Sequence, residues 1–530
     1  MFAVGIFAVF QVFFAPGMLI LQLLRWRGNL IEKLAFTVGL SLIANYAAVL
    51  LLVTLGLYQR AVVFACLALE LAFLLYVSRS ALLKPFSQAV SDGWNELAAW
   101  VRHRWMPLNE ENPDQHAIQV IQLGLAALAA ILAVSAVWWT VRLFLYNLGT
   151  VFNTWDAILS WNQWATIWAQ GHPPGGTSLY PQLVPINWSL LYVIQGNATL
   201  QLFAKAMMSI FVFLILLLMT GYGFDARMPG FFVGVILTQL MFKKFVGEFI
   251  SAGYVDLPVT FFGFLAVYAL LKARRLTDAT QRLPFVQLAL VFAAGAAVTK
   301  QAGVYILLVT PLLGYLLLRK PGQPLKENPL WKPAVAALGI ALLIALPWYL
   351  FKLVSIQLGT DVSNVTYLTS EIYNGAGVMT RLVDSAHLLE KYAFVLLFLI
   401  PAFFVLESDL RWVVLLVVLP FTLIWAIYFS YDTRNLALAL PFIGGCAGVG
   451  LQRFISLGLQ ALARLKLLAV RVVLLAGLLV AILAGMNWVI TDSALQQQQT
   501  DQQRQIFNAQ LNEKLYDYIA QYGPSIRILT

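Results

Sequence analysis

Residues 150–195 read TVFNTWDAILSWNQWATIWAQGHPPGGTSLYPQLVPINWSLLYVIQ. The stretch follows a long apolar run at about 117–145 and precedes another, so it belongs just outside a membrane. At about 100° per residue, 155–170 forms a helix with two unlike sides. Asp156, Ser160, Gln163 and Gln170 make a narrow polar stripe, and Trp155, Ile158, Leu159, Ala165, Trp168 and Ala169 cover the other side. Trp and Tyr favour the headgroup layer, where an apolar ring and a polar edge are both satisfied. The expectation is a helix lying along the membrane surface with the Asp156 carboxylate facing a cavity, as a catalytic acid or base would. HPPGG stops that helix, and YPQLVP leads into the next aromatic segment. The competing reading is an acid merely solvated on an interfacial helix.

The rest of the composition fits a membrane setting. Of 530 residues, 61% are hydrophobic and 11% charged, against roughly 25% charged in soluble domains. The chain is therefore expected to be an all-α, polytopic membrane protein. Its 16 Trp and 20 Tyr imply broad interfacial belts. The net charge of +10 does not call for nucleic acid, because basic residues also gather in cytoplasmic loops and pair with anionic membrane lipid. Cys66 and Cys446 lie inside apolar runs, so neither a disulfide framework nor a thiolate metal site is expected. The four His are scattered and make no zinc cluster. The first 24 residues are apolar with no basic residue ahead of them, which reads as a retained span rather than a cleaved signal.

Spans need about 20 apolar residues each. About fourteen candidates follow, at 3–24, 35–56, 61–78, 117–145, 200–222, 230–243, 257–271, 285–299, 302–318, 333–351, 392–406, 411–429, 436–451 and 468–490. Basic residues fall on alternate connections, from Arg25, Arg27 and Lys33 through Lys272, Arg274, Arg275 and Arg282 to Arg453, Arg464 and Lys466. That set is cytoplasmic by the positive-inside rule, which puts both termini and Asp156 on the outer face.

Residues 1–116 then form a three-helix transmembrane module. It closes with an inner-leaflet helix at 88–106, where Trp94, Leu97, Val101 and Trp105 share a face beside Arg102 and Arg104. Two long outer loops follow, at 146–199 and 352–390, and the second reads as a lid. It carries the glycosylation sequon Asn364-Val365-Thr366. Residues 451–490 hold the last span. The tail 491–530 has a Gln-rich run, a helix and a strand-like ending, like the edge of a larger outer domain.

Charged groups near mid-membrane cost roughly 2.5–3.5 kcal/mol on insertion scales, so they usually line a pathway or a site. Besides Asp156, three places stand out at the outer ends of spans. One is Lys243, Lys244 and Glu248 followed by GYVDLP with Asp256; another is Thr299-Lys300-Gln301; the third is Tyr431-Asp432-Thr433-Arg434-Asn435. Each has a structural alternative. Lys300 would snorkel from a turn, Arg434 would be a surface anchor paired to Asp432, Asp256 would cap a helix, and Lys243 and Lys244 would be interfacial. Taken together, two cations and two acids on one face suit a phosphate-bearing lipid and a hydroxyl that must lose a proton.

In this order along the chain, TWDAILSW, YPQLVP, GYVDLP, TKQ and YDTRNLALALPF resemble the GT-C superfamily of membrane glycosyltransferases, which use polyprenyl-linked sugars as donors. The resemblance covers about 117–450. It implies that Asp156 is the catalytic acid on a juxtamembrane helix and that Lys300 and Arg434 bind the lipid phosphate, with Lys243 and Lys244 beside them. Glu248, Asp256, Tyr180, Gln182 and Gln301 would orient the acceptor, or Asp256 and Glu248 would hold a divalent cation such as Mg, Mn or Ca. Three spans precede the acid-bearing loop where the family usually has one, which implies an added N-terminal module.

The implied activity is inverting transfer of a sugar, a pentose by analogy alone, to a hydroxyl on a glycan, lipid or protein. It would occur at the periplasmic face of a bacterial inner membrane. Two rivals make different demands. A lipid-linked sugar flippase or secondary transporter predicts repeats and broken spans near mid-membrane. A polysaccharide polymerase or ligase relies on arginines and an outer His, for which His172 and His387 are available.

Overall fold

A computed structural model describes residues 2–82 apart from 27, 113–319 apart from 227, 327–360, and 376–463 apart from 391 and 392. It also describes isolated positions between 477 and 521. The 88–106 helix, the sequon and the 468–490 span fall outside the described residues. The chain divides into two compact units, Met1–Ser456 and Leu457–Thr530. In the second, the end of the helix Leu440–Ala463 and scattered helical positions are described.

Among the described residues every regular element is a helix, and ten helices are long and apolar enough to cross a membrane. The protein is thus an all-α, multi-pass membrane protein. The count is below fourteen for identifiable reasons. Ala302–Leu318 and Ala393–Val405 are too short, and all of 468–490 but position 477 lies outside the described residues. The opening turn of Ala279–Ala297, with Thr280, Gln281 and Arg282, dilutes its apolar character. The expected outer loop 352–390 is partly helical. Trp331–Gln357 runs into its first residues, and Val378–Glu390 fills its end.

At the centre of the first unit stands Asp256–Arg275, whose most apolar stretch is 94% buried. Such a helix has no polar face, because protein surrounds it on all sides. It packs along Ala279–Ala297 and against Ala302–Leu318 and Ser209–Asp225. Elsewhere small residues set the spacing. Gly230 and Gly234 face Gly445, Gly448 and Val449 so closely that a Cβ on Gly230 would lie 2.5 Å from the Val449 Cα. Four-residue spacing of glycines lets two backbones approach in this way.

The N-terminal helices join the same core. Asn45 Nδ2, on Leu30–Thr54, donates to the Val12 carbonyl at 2.9 Å and to Asn187 Oδ1 at 3.1 Å. Tyr58 and Ser189 share a hydrogen bond of 3.0 Å. With little water to compete, such bonds hold helices in register.

Charges collect at both ends of Asp256–Arg275. At its C-terminal end, Asn29 and Glu32 form a reciprocal capping box that starts Leu30–Thr54. The fully buried Glu32 also accepts from Tyr268 at 2.8 Å and pairs with Lys272 at 2.7 Å. Lys272 reaches Asp225 as well, and Arg275 and Arg453 both pair with Glu407. Residues read as cytoplasmic from the basic pattern therefore meet at one end. Asp256 lies at the other.

Candidate functional site

The site is built on a short 3₁₀ helix, Thr433–Ala439. Asp432 starts it, its Oδ1 accepting from the Arg434 amide at 3.1 Å. Thr433 ties the turn to the Phe245 carbonyl at 2.8 Å, and Asn435 Nδ2 ties it to the Phe429 carbonyl at 3.1 Å. From this fixed base Arg434 and Asn435 reach different partners. Arg434 Nη2 donates to Asp156 Oδ2 at 2.9 Å, and Asn435 Oδ1 accepts from Lys300 Nζ at 2.6 Å. Lys300 also donates to Asp256 Oδ1 at 2.6 Å. Four chain segments carrying the expected residues thus converge on one cluster.

Arg434 is held on three sides. Its guanidinium lies 4.1 Å from the Tyr254 ring centre and 5.0 Å from that of Phe249, an arrangement that favours Arg over Lys. Nε sits 2.6 Å from Asp432 Oδ2, an ion pair whose angle is too poor for a hydrogen bond, since Nε is left without one. Nη1 is buried and has no hydrogen-bond partner.

Asp156 is placed by a strap whose sequence is tied down residue by residue. Lys205 Nζ donates to the Val151 carbonyl at 2.5 Å and to Asn153 Oδ1 at 3.1 Å. Gln201 Oε1 accepts from the Phe152 amide at 3.2 Å, and Asn147 Nδ2 donates to Ser251 at 2.7 Å. Gly253, at φ +104°, lies so close that a Cβ there would stand 2.7 Å from the Phe152 ring and 2.9 Å from the Ala157 Cβ. Thr154 Oγ1 donates to the Ala252 carbonyl at 3.4 Å, and Tyr254 follows beside Asp156. Burial, and then the charge of Asp156, push the Tyr254 phenol above the usual range.

The helix after Asp156 differs from the regular wheel. Its first turn, Ala157–Asn162, is a π-turn, and Gln163–Ala169 continues as α-helix. The wider turn shifts the register. Ala157, Trp161, Ala165 and Trp168 are buried, and Trp155 is 77% exposed, with Ile158 and Leu159 also exposed. The apolar side read from a uniform period is thus split in two, and only its Ala165–Trp168 half packs inward.

Lys300 lies in the turn between Ala279–Ala297 and Ala302–Leu318. Burial alone would lower its pKa. The Asp256 carboxylate outweighs that and holds the ammonium above the ordinary lysine range. Asp256 is the first-turn acid of its helix and makes no cap hydrogen bond, so it serves as the counter-ion of Lys300 rather than as a cap. Tyr180 stands close enough to add its own electrostatic influence on Lys300. The Leu183 amide bonds the Val298 carbonyl at 2.9 Å, docking the YPQLVP loop on the Lys300 turn.

Other expected members of the site do different work. Gln182 is fully buried, donating to the Tyr180 carbonyl at 3.0 Å and accepting from Trp168 at 3.2 Å. It is an internal brace and cannot reach an acceptor. Lys243 stacks 4.9 Å from the Trp139 ring centre, an interfacial contact. Lys244 is half-buried, Glu248 is exposed, and Gln301 is half-buried at the head of Ala302–Leu318. His387 is exposed beside Glu390.

As ligands for a divalent cation, Asp256 and Glu248 fit poorly, since the Asp256 side chain is 4% exposed and already held by Lys300. Among the described residues, no three His, Cys, Asp or Glu side chains gather in a way that would hold a metal. Asp432 and Asn435, which stand out in the sequence as part of YDTRN but only with Asp432 as a surface partner of Arg434, belong to the cluster. Lys205 had only the weaker sign of a lone cation in an apolar run. No protein-family model, no curated protein and no solved structure matches the chain.

Proposed function

We propose that the protein is a GT-C-type membrane glycosyltransferase. It moves a sugar from a polyprenyl phosphate donor to an acceptor hydroxyl at the periplasmic face of a bacterial inner membrane. The observation that carries this reading is the pairing of Asp156 with Arg434 at 2.9 Å across 278 residues of chain, beside the Lys300–Asp256 pair. An acid half-open to its surroundings next to two fixed cations is what transfer from a phosphate requires. The acceptor oxygen attacks the anomeric carbon on the side opposite the phosphate while its proton passes to an Asp156 oxygen. The bond from that carbon to the phosphate oxygen breaks, and its electron pair leaves with the lipid phosphate. Arg434 and Lys300 stabilise the charge that gathers there, and the planar Arg fork suits two phosphate oxygens.

The test is transfer of labelled sugar from a panel of polyprenyl-phosphate pentoses and hexoses by the purified protein. Replacing a general base typically costs 10²–10⁴-fold in rate, so Asp156→Asn is expected to lower kcat by about that factor. Full activity in a folded Asp156→Asn protein removes Asp156 from the chemistry.

A further inference from the structure

We infer that Arg434 changes partners when the donor binds: the phosphate takes the guanidinium edge held by Asp156, Asp432 keeps its own edge, and Asp156 is released to accept a proton. This rests on the glycosyl-transfer reading above and adds to it a positioning residue, Asp432, and an order of events.

The two carboxylates hold Arg434 unequally. Asp432 is two residues away, its Oδ1 is fixed by the Arg434 amide, and its carbonyl accepts from Trp425 Nε1 at 3.3 Å. It cannot leave without unwinding the start of the 3₁₀ helix. Among the described residues Asp156 is attached through one hydrogen bond of 2.9 Å, its side chain is 40% exposed, and no second hydrogen bond fixes its carboxylate. The strap ahead of Asp156, by contrast, is held by Gln201 on the Phe152 amide and by Lys205 on Val151 and Asn153, so the carboxylate can turn away without moving the strap.

The other edge of the guanidinium is ready for a ligand. Nη1 is buried with no hydrogen-bond partner, an arrangement that costs free energy until an acceptor arrives. A phosphate spanning Nη1 and Nη2 would satisfy both. Tyr254 and Phe249 keep the plane of the fork fixed during the exchange. While Asp156 is paired to Arg434 its Oδ2 is engaged and the carboxylate is turned to the guanidinium, and seating the donor frees both oxygens to face the acceptor.

The exchange makes a prediction opposite in sign to ordinary loss of a site residue. The probe is farnesyl monophosphate binding to the full-length protein in detergent, with farnesol and inorganic phosphate as separate arms. If Asp156 competes with phosphate for Arg434, Asp156→Asn tightens farnesyl phosphate binding by about tenfold, the effect of removing one nearby like charge. Asp156→Glu, which keeps the charge, binds as the unaltered protein does. Asp432→Asn weakens binding by about tenfold, and Asp432→Glu recovers most of it.

Unchanged or weaker binding in folded Asp156→Asn overturns the exchange, and Asp156→Ser serves as the second variant if the first does not fold. Arg434→Met separates the two levels. If it abolishes binding while Asp156→Asn fails to tighten it, the exchange falls and the phosphate site stands. If it leaves affinity unchanged, the glycosyl-transfer reading falls as well. Displacement of the probe by an equal concentration of inorganic phosphate assigns the site to free phosphate and overturns the lipid donor.

Discussion

Lys300 and Asp256 stand 2.6 Å apart although 44 residues separate them, and both side chains are largely buried. The pair fixes the turn after Ala279–Ala297 against the start of Asp256–Arg275. Removing one partner of a buried pair leaves an uncompensated charge and typically costs about 3–5 kcal/mol. Lys300→Met is therefore expected to destabilise the protein by about that amount, and adding Asp256→Asn is expected to restore most of the loss. Thermal unfolding in detergent checks both. A double variant no more stable than the single one would remove this account.

The same pair gives a pH dependence with a definite sign. Lys300 is held above its ordinary value of 10.5, so the folded state binds its proton more tightly than the unfolded state does. Its contribution to stability is complete below 10.5 and fades as pH rises through the higher folded value. Lys300→Arg stays charged throughout that range. Unfolding temperatures compared between neutral pH and pH about 11 should fall less in the arginine variant than in the unaltered protein.

Gly253 is the hinge between the Asp156 strap and the Tyr254 loop. Its φ of +104° and its close approach to Phe152 and Ala157 leave no room for a side chain. Gly253→Ala is expected to cost about 1–3 kcal/mol and to displace Asp156 from Arg434. Transfer rate should then fall while donor affinity holds or rises, since Asp156 no longer competes for Arg434. Equal losses in both would point to general unfolding instead.

Lys205 holds the strap from the opposite side, 5% exposed and bound to Val151 and Asn153. Lys205→Met is expected to lower kcat by about tenfold, since a small misplacement of a catalytic group is enough to cost 10–100-fold. The donor KM should stay near its original value, because Lys205 touches neither Arg434 nor Lys300. A variant with raised KM and normal kcat would contradict the role.

Much of this arrangement is legible in the sequence, for reasons that particular residues make plain. Charges in apolar runs stand out because the membrane makes them expensive, which is why Asp156, Asp256, Lys300 and Arg434 can be picked out. The alternation of Arg and Lys between connections likewise separates Lys272 and Arg275 from Asp256. What is hidden is polar side chains that serve the interior. Gln182 looks like a site residue and is a brace, because sequence does not say which way a side chain points. The π-turn after Asp156 breaks the period on which the amphipathic reading depends. Span counts are overestimated where short helices such as Ala302–Leu318 pack against protein and need not reach across a bilayer.

The length of Asp256–Arg275 has a consequence for how a substrate arrives. Asp256 and Lys272, which mark the two charged ends, are 16 positions apart, about 24 Å at a helical rise of about 1.5 Å per residue. The hydrocarbon layer is about 30 Å thick, so at least one of the two charge clusters is sunk beneath the plane of the lipid headgroups. If the sunken one is the Asp156 side, a membrane-borne ligand dips inward to meet Arg434 instead of lifting out towards water. Turnover should then depend on bilayer thickness, rising in short-chain lipids that bring the headgroup down to the cations.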